Sequence, residues 1–535
     1  MRNKISLFVA AFSVVTAEFA LAAEIPYMNL LKPDMIFVDG AANSAGRIKV
    51  KLSSCRCMLR EIFVYLSGEG PVSKVELVWN IAFPKDSVVY GGDWERTYGD
   101  SGWFRIGDSS APHEGWKPWY FLVNDGKRTD GYGLMVQPNA FAAWKVAPGS
   151  VTLSLDVRAG SRPLELKTDQ WGIKICTLVD RCGKENETPF AAAREFCRKM
   201  CPNPRLTKEP VYGYNDWYCA YGNNTATNFL ADAEFIVSLV KGEKVRPYVV
   251  VDDGWQRGKQ GSAKTTADMR WAGVNEKWGM EMDEFARRVK AMGAKPGLWY
   301  RPFLPDDGKD LPIDPTDPTL ENRIRADMAR FAAWGFELVK ADFITYDWST
   351  SWGGGLSPIH HDIPEWSDRS HTTAEVVKKL YMTLRAATGD KMVIIGCNAL
   401  DHFAAGLFEI QRTGDDTSGN DWGRTRKMGP NTLGMRMIHH GTFYVSDGDC
   451  FGLAKPDAIP WRLNSQWLDL VSRSGTALFV SWRRELTTPE IRDALEAALR
   501  RAAKMQSTGE PLDWLNNLRP MRWRFGDEIR TYNWE

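Results

Sequence analysis

The sequence predicts an α/β protein: a (β/α)8 TIM barrel preceded by an N-terminal antiparallel β-sandwich, with a short C-terminal β appendage. Three observations carry this reading. Residues 24–188 hold short alternating runs broken by Gly, Pro, Asp and Asn. Residues 211–482 hold eight continuous apolar runs with amphipathic helical segments between most of them. The last strand-like stretch, 521–534, is too short to form a core of its own. At 535 residues the chain exceeds what one hydrophobic core usually organises, so more than one domain is expected.

The elements follow in order. Residues 1–22 have the form of a secretory signal: Arg2 and Lys4 supply a basic start, 5–17 are uncharged and largely apolar, and Ala20-Leu21-Ala22 fits a small-residue cleavage site. Export to the periplasm or the medium is expected. The apolar stretch is too short to span a bilayer, and no later segment offers eighteen apolar residues in a row. Residues 24–200 are expected to form the sandwich and a linking helix, from runs such as 74–81, 133–136 and 151–157 and the helical stretch 189–200. Pro202, Pro204 and Pro210 then mark a linker.

The barrel is assigned to 205–505. Its eight strand runs are 211–215, 246–252, 294–301, 337–342, 392–397, 408–412, 442–447 and 477–482. Apolar residues recur at three- and four-residue spacing in 230–240, 282–292, 320–334, 374–387 and 461–472. Continuous apolar strands alternating with helices imply a parallel sheet covered on both faces. The connection between the fifth and sixth strands is short and weakly helical. A helix over 489–505 and the appendage, 506–535, complete the chain.

Composition narrows the function. With 68 basic against 67 acidic residues the formal charge is +1, and no basic run is interleaved with aromatics, so nucleic acid is not an expected partner. The 23 tryptophans offer faces on which the C–H side of a sugar ring stacks, although most of them are expected in the core. Nine cysteines leave at least one thiol unpaired. Cys176 with Cys182, or Cys197 with Cys201, are candidate local bridges, and neither pair has the spacing of a zinc site, so no metal or cofactor is expected.

In a barrel enzyme the chemistry sits at the carboxyl ends of the strands, and polar residues cluster there. The first strand ends in Asn215-Asp216-Trp217-Tyr218, the second in Asp252-Asp253-Gly254-Trp255, the third in Trp299-Tyr300-Arg301 and the fourth in Lys340 and Asp342. The fifth ends in Cys397-Asn398, the sixth in Arg412, Asp415 and Asp416, and the seventh in Asp447 and Asp449. A single Asp at such a place commonly does no more than cap the next helix. Seven strands agreeing at one end point to a site. Asp342 and Asp416 suit glycoside cleavage, where one carboxylate stabilises or traps the anomeric carbon and a second carboxyl protonates the leaving oxygen. Carboxylates and Lys grip vicinal hydroxyls, and Trp supplies a stacking face. A ring of carboxylates also suits a divalent cation, but Lys340 and Arg412 place fixed positive charge beside the same oxygens.

These residues resemble a family. Tyr214-Asn215-Asp216-Trp217-Tyr218, Val251-Asp252-Asp253-Gly254-Trp255, Gly297-Leu298-Trp299, Lys340-Ala341-Asp342-Phe343, Gly396-Cys397, Arg412-Thr413-Gly414-Asp415-Asp416-Thr417 and Asp447-Gly448-Asp449-Cys450 occur in the order seen in family 36 α-galactosidases and their clan relatives. The resemblance implies a retaining double displacement, with Asp342 as nucleophile and Asp416 as acid/base. Asp416 is selected by the family spacing of four from Arg412, with Asp415 as the fallback. It also implies that Asp252 and Asp253 hold the 4- and 6-hydroxyls of galactose, Lys340 the 3- and 4-hydroxyls and Arg412 the 2-hydroxyl region. Trp217 and Trp299 would frame the sugar with Tyr218 and Cys397 nearby, while Asp447 and Asp449 would play a supporting part.

The chain departs from the family pattern in three places. Asn398 stands where many relatives carry Gly, near the sugar's 2-position in the wider clan. The loop 346–372 carries His360, His361 and His371 with Gly353-Gly354-Gly355 and is expected to form a mobile rim. The tail is shorter than a full C-terminal sandwich. The expectation is an exported, exo-acting α-galactosidase that needs no cofactor, with an α-galactoside oligosaccharide or glycan as its substrate. An α-N-acetylgalactosaminidase, a transglycosylase of the raffinose-synthase kind and a non-catalytic carbohydrate-binding protein are the alternatives.

Overall fold

The computed structural model describes residues 25–535 apart from 44–45, 55–60, 169–171, 259–264, 307–310, 354–362 and 364. Residues 1–22, where a secretory signal is expected, and Gly354, Gly355, His360 and His361 lie outside the described residues.

Two antiparallel sheets form the N-terminal sandwich. One has six strands in the order 41–42, 35–38, 74–79, 150–156, 141–147, 116–118; the other has seven, in the order 49–54, 62–67, 173–181, 129–134, 120–124, 88–91, 104–105. The strand Lys74–Trp79 keeps the alternation that its sequence shows, with Val75, Leu77 and Trp79 buried. Trp79 stacks on Trp144 at 5.9 Å, and Phe121 of the facing sheet meets Trp144 edge-on at 5.4 Å. The short run at 133–136 proves to be the end of a longer strand, Thr129–Leu134, buried at every position. Its alternation is lost because the helix Pro189–Met200 covers its outer face. A Cβ on Gly131 would lie 2.6 Å from the Phe196 ring, so glycine is what lets the helix sit down. Cys176, Cys197 and Cys201 are buried free thiols, so neither candidate local bridge is formed.

The barrel strands are β1 (Tyr212–Asn215), β2 (Tyr248–Val251), β3 (Lys295–Tyr300), β4 (Leu338–Ala341), β5 (Val393–Gly396), β6 (Ile410–Arg412), β7 (Val445–Asp447) and β8 (Leu478–Ser481). Each pairs in parallel with its sequence neighbour from β1 to β7, β8 pairs with β1, and a parallel bridge between Asp447 and Ala477 joins β7 to β8 and closes the ring. A two-residue strand, Phe451–Gly452, adds to the edge of β8. Helices Ala226–Leu239, Met282–Ala291, Pro318–Trp334, Thr373–Ala387, Trp461–Arg473 and Pro489–Ala502 cover the outside. Between β5 and β6 only the single turn Asp401–Ala404 intervenes, as the weak helical signal there anticipates.

The C-terminal segment forms a three-stranded antiparallel sheet, 510–511, 522–525 and 528–531. It has no core of its own. Trp523 and Trp534 are buried, Trp514 donates to the Met435 carbonyl at 3.1 Å, and the Trp534 carbonyl accepts from Trp422 at 3.0 Å, so the sheet is pinned to the segment after β6.

The sandwich reaches the barrel mouth through the loop 92–103. Thr97 donates its N–H to the Thr413 carbonyl at 2.9 Å and accepts from Asp415 N–H at 3.0 Å, a strand-like pairing with the segment that follows β6. Arg436 donates to the carbonyls of both Glu95 (2.8 Å) and Thr413 (3.1 Å). Below this seam, Tyr120 of the sandwich bonds His439 at 2.8 Å within a buried set that includes Asp401, Arg436 and Tyr444. Among the described residues no helix is long and apolar enough to cross a membrane.

Candidate active site

Asp342 is the first residue beyond β4. Its Oδ2 accepts the Trp299 indole N–H at 3.0 Å, from the end of β3, and its Oδ1 accepts the Phe343 backbone N–H at 2.8 Å. Phe343 has a left-handed backbone, φ +58°, a conformation that costs a bulky residue about 1–3 kcal/mol and persists only where neighbours enforce it. The enforcing neighbour is Arg301, whose guanidinium lies 4.0 Å from the centre of the Phe343 ring and is held by Asp347 through bonds of 2.5–3.0 Å. Two donors and a fixed turn therefore aim the Asp342 carboxylate.

The end of β2 supplies a second acidic group. Asp252 Oδ2 accepts from Lys340 Nζ and Asn215 Nδ2, each at 2.7 Å, and its backbone N–H donates to Asp216 Oδ1 at 2.8 Å. Asp253 accepts from Gln256 at 2.6 Å, and burial raises its carboxyl above the usual range. Asp216, buried under Asp252, is pushed up to about 7 by burial and then by the Asp252 charge. The tight turn after the doublet requires Gly254: its φ is +115°, and a Cβ would lie 2.5 Å from the Gly222 carbonyl oxygen.

At the end of β6, Arg412 donates to Asp416 Oδ1 at 3.2 Å and to the Gly414 carbonyl at 3.1 Å, and it pairs with Asp449 Oδ2 at 3.2 Å. Asp449 also accepts the Thr417 N–H at 2.8 Å and the Tyr218 hydroxyl. Asp447 accepts the Asp449 N–H at 2.9 Å, and burial raises it to about 6. Asp415 and Asp416 differ in what holds them. Both Asp415 oxygens are taken, Oδ1 by Arg96 at 2.8 Å and Oδ2 by Arg424 at 2.7 Å. Asp416 meets Arg412 and, at 3.7 Å, Arg96 through Oδ1, with its side chain 38% exposed. Burial works upward on Asp416, but Arg412, Arg96 and Lys340 outweigh it and hold the carboxyl down at about 2.

One cavity of about 550 Å³ gathers these ends, within the range of small-molecule sites. Trp217, Asp252, Asp253, Trp299, Lys340, Asp342, Asp415 and Asp416 line it. The other residues expected at the site stand behind that lining. Arg412 and Tyr218 are buried under Asp416 and Asp449. Cys397 lies against the guanidinium groups of Arg412 (3.4 Å) and Arg96 (3.5 Å). Asn398 accepts the Ile344 N–H at 3.0 Å and, through its carbonyl, the Thr345 hydroxyl at 2.6 Å, so it braces the turn after Asp342. A larger cavity, about 840 Å³, is lined by Pro305, Asp314, Leu320 and Arg323 and shares no residue with the strand-end set. Among the described residues no group of three or more His, Cys, Asp or Glu is arranged to hold a metal ion.

The sequence did not disclose four residues that line the cavity: Arg96, Tyr98, Trp352 and Arg424. Arg96 and Tyr98 come from the sandwich with no motif around them, and the partners of Arg96 across the site, Cys397 and Asp415, lie more than 300 positions away. Arg424 lies eight and nine positions beyond Asp416 and Asp415, on the short helix Trp422–Arg426, and a cation at that distance after an acidic pair is a usable signal.

No family model matches the chain, and no curated relative does. Solved structures do. An α-galactosidase of Thermus thermophilus in complex with p-nitrophenyl α-D-galactopyranoside is similar at a TM-score of 0.60 and 17% identity, over 90% of this chain and 99% of that one. A family 36 α-galactosidase of Geobacillus stearothermophilus in complex with 1-deoxygalactonojirimycin is similar at a TM-score of 0.60 and 13% identity, over 90% and 71%. This chain has the fold of family 36 α-galactosidases. An α-galactosidase of Lactobacillus brevis is similar at 0.52 and 14% identity, over 89% and 69%. At 90% of this chain, the shared fold spans both sandwich and barrel.

Proposed function

We propose that the protein is a retaining, exo-acting α-galactosidase. The observation that carries this reading is the placement of Asp342 and Asp416 in one cavity with a hydroxyl-binding set, Lys340, Asp252 and Asp253, beside them. Asp342, aimed by the Trp299 and Phe343 N–H groups, attacks the anomeric carbon. Asp416 gives a proton to the departing oxygen and then takes one from the water that releases galactose. Asp416 suits this exchange better than Asp415, because two arginines occupy both oxygens of Asp415. An ionised Asp416 is ready for the second step. For the first it must regain a proton, and a sugar that excludes water from the cavity acts in that direction, since burial already works upward on this carboxyl.

Lys340, paired with Asp252 at 2.7 Å, stands beside Asp253 in the cavity wall, so an ammonium and two carboxyl groups face vicinal hydroxyls, and Trp217 and Trp299 offer apolar faces. Neither Cys397 nor Asn398 lines the cavity, so no observation favours a 2-acetamido sugar. The leader at 1–22 supports export.

The test is hydrolysis of aryl α-galactoside and aryl α-N-acetylgalactosaminide by wild type, Asp342→Ala and Asp416→Ala. Turnover of the galactoside alone, loss of it in Asp342→Ala and its restoration there by azide as the β-galactosyl azide are expected. Turnover by Asp416→Ala with loss in Asp415→Ala would reassign the acid/base, and no turnover of either substrate by wild type would defeat the enzyme reading.

A further inference from the structure

We infer that Arg96, supplied by the sandwich domain, is a positioning residue for the acid/base carboxyl, so that the hydrolytic site is complete only when both domains contribute. The inference rests on the reading of Asp416 as acid/base given above.

The backbone geometry comes first. The loop that carries Arg96 is paired to the segment that carries Asp415 and Asp416 by the two Thr97 bonds, and Arg436 ties Glu95 and Thr413 to one guanidinium. Arg96 and Asp416 are therefore fixed relative to each other within a few residues on either side. The side chain is fixed as well. Its guanidinium lies 5.4 Å from the centre of the Trp352 ring and 5.6 Å from that of Tyr98, and its Nε donates to the Tyr98 hydroxyl at 3.4 Å. Only 7% of the Arg96 side chain is exposed, and it forms part of the cavity wall.

From that position the two terminal nitrogens divide their work. Nη2 takes Asp415 Oδ1 at 2.8 Å, and Nη1 lies 3.7 Å from Asp416 Oδ1 and 3.5 Å from Cys397 Sγ. Asp416 thus sits between two guanidiniums, Arg412 from its own strand and Arg96 from the other domain. Lys340 also acts on it from β4, while Tyr218 and Tyr221 follow β1 and Asp449 follows β7. Among these groups Arg96 is the one supplied from outside the barrel. An interdomain ion pair with Asp415 alone would not require Arg96 to approach Asp416 or to face the cavity.

A residue that orients the proton donor matters when the leaving group needs a proton and little when it does not. The test compares full-length wild type, Arg96→Gln and Arg96→Lys on methyl α-galactoside, whose leaving group needs protonation, and on 2,4-dinitrophenyl α-galactoside, whose leaving group does not. Arg96→Gln should lower kcat/KM at least about 100-fold on the first and less than about tenfold on the second, within the span of general-acid effects. Its alkaline limb on methyl α-galactoside should move to higher pH, because one cation holding Asp416 ionised is gone, and Arg96→Lys should recover part of both effects. Equal losses on the two substrates, or no loss in folded variants, would overturn the role of Arg96 while leaving the α-galactosidase reading intact. If Arg96→Gln does not fold, Arg96→Lys carries the same comparison, since a single ammonium cannot reproduce the two nitrogens that divide between Asp415 and Asp416. Wild type that releases galactose from neither substrate would overturn the α-galactosidase reading, and the inference with it.

Discussion

Arg301 stacks on Phe343 at 4.0 Å, and Phe343 is the residue that donates its backbone N–H to Asp342. The orientation of the nucleophile candidate is thus maintained from below by a buried Arg301–Asp347 ion pair that never meets the cavity. The pair is costly to halve. Arg301→Met leaves Asp347 buried without its cation, and breaking one side of such a pair costs about 3–5 kcal/mol. Thermal unfolding of the variant should show that loss together with a fall in kcat; a variant as stable and active as wild type would show that Phe343 holds its turn unaided.

Trp299→Phe keeps the aromatic wall and removes only the indole donor to Asp342 Oδ2. A hydrogen bond to a charged group is worth about 1.5–3 kcal/mol, so kcat/KM should fall about tenfold to a hundredfold. Steady-state kinetics on an aryl α-galactoside check this, and an unchanged value would mean that the Phe343 N–H alone suffices.

Lys340→Met should be worse than the loss of one substrate contact. It leaves Asp252 with a buried charge partnered only by the Asn215 amide and its own neighbours, so both galactose binding and stability should suffer. Calorimetric titration with galactose should show binding lost, and Asp252→Asn in the same background should recover stability without recovering activity. Failure of the double variant to regain stability would contradict the coupling.

Glu95 gives a pH signature. It is fully buried, accepts from the Tyr98 hydroxyl and the Gly353 N–H, and is pushed up to about 7, chiefly by burial. A carboxyl raised in the folded state is favoured when neutral. Its contribution to stability is complete below the unfolded value near 4.5 and is lost as pH rises through about 7. That loss is on the order of 2–3 kcal/mol between pH 5 and pH 8. Glu95→Gln removes the titration, so the fall in Tm from pH 5 to pH 8 should be smaller in the variant. An identical fall would place Glu95 outside the pH response.

Much of this was readable before the structure, for a physical reason. Strands of a parallel sheet are buried on both faces, so strands such as β2 (Tyr248–Val251) and β5 (Val393–Gly396) appear as apolar runs, and the polar residues at the strand ends stand out against them. The strand Thr129–Leu134 is also buried throughout, but Gly131 and Gly133 replace the apolar side chains there, because Phe196 and Met200 fill the space. At the site, the strand geometry separates residues that are adjacent in sequence. Trp217 faces the cavity, whereas Tyr218 turns beneath it to reach Asp449, and Asn398 braces the turn at 343–345. Arg96 left no local trace, since the pairing that brings it to Asp415 exists only once two domains have folded against each other.

The most direct test of the central claim is the anomer first released. Proton NMR of the wild-type protein acting on 4-nitrophenyl α-galactoside should show α-galactose appearing first and mutarotating later, as a double displacement at Asp342 requires. Initial release of β-galactose would contradict it.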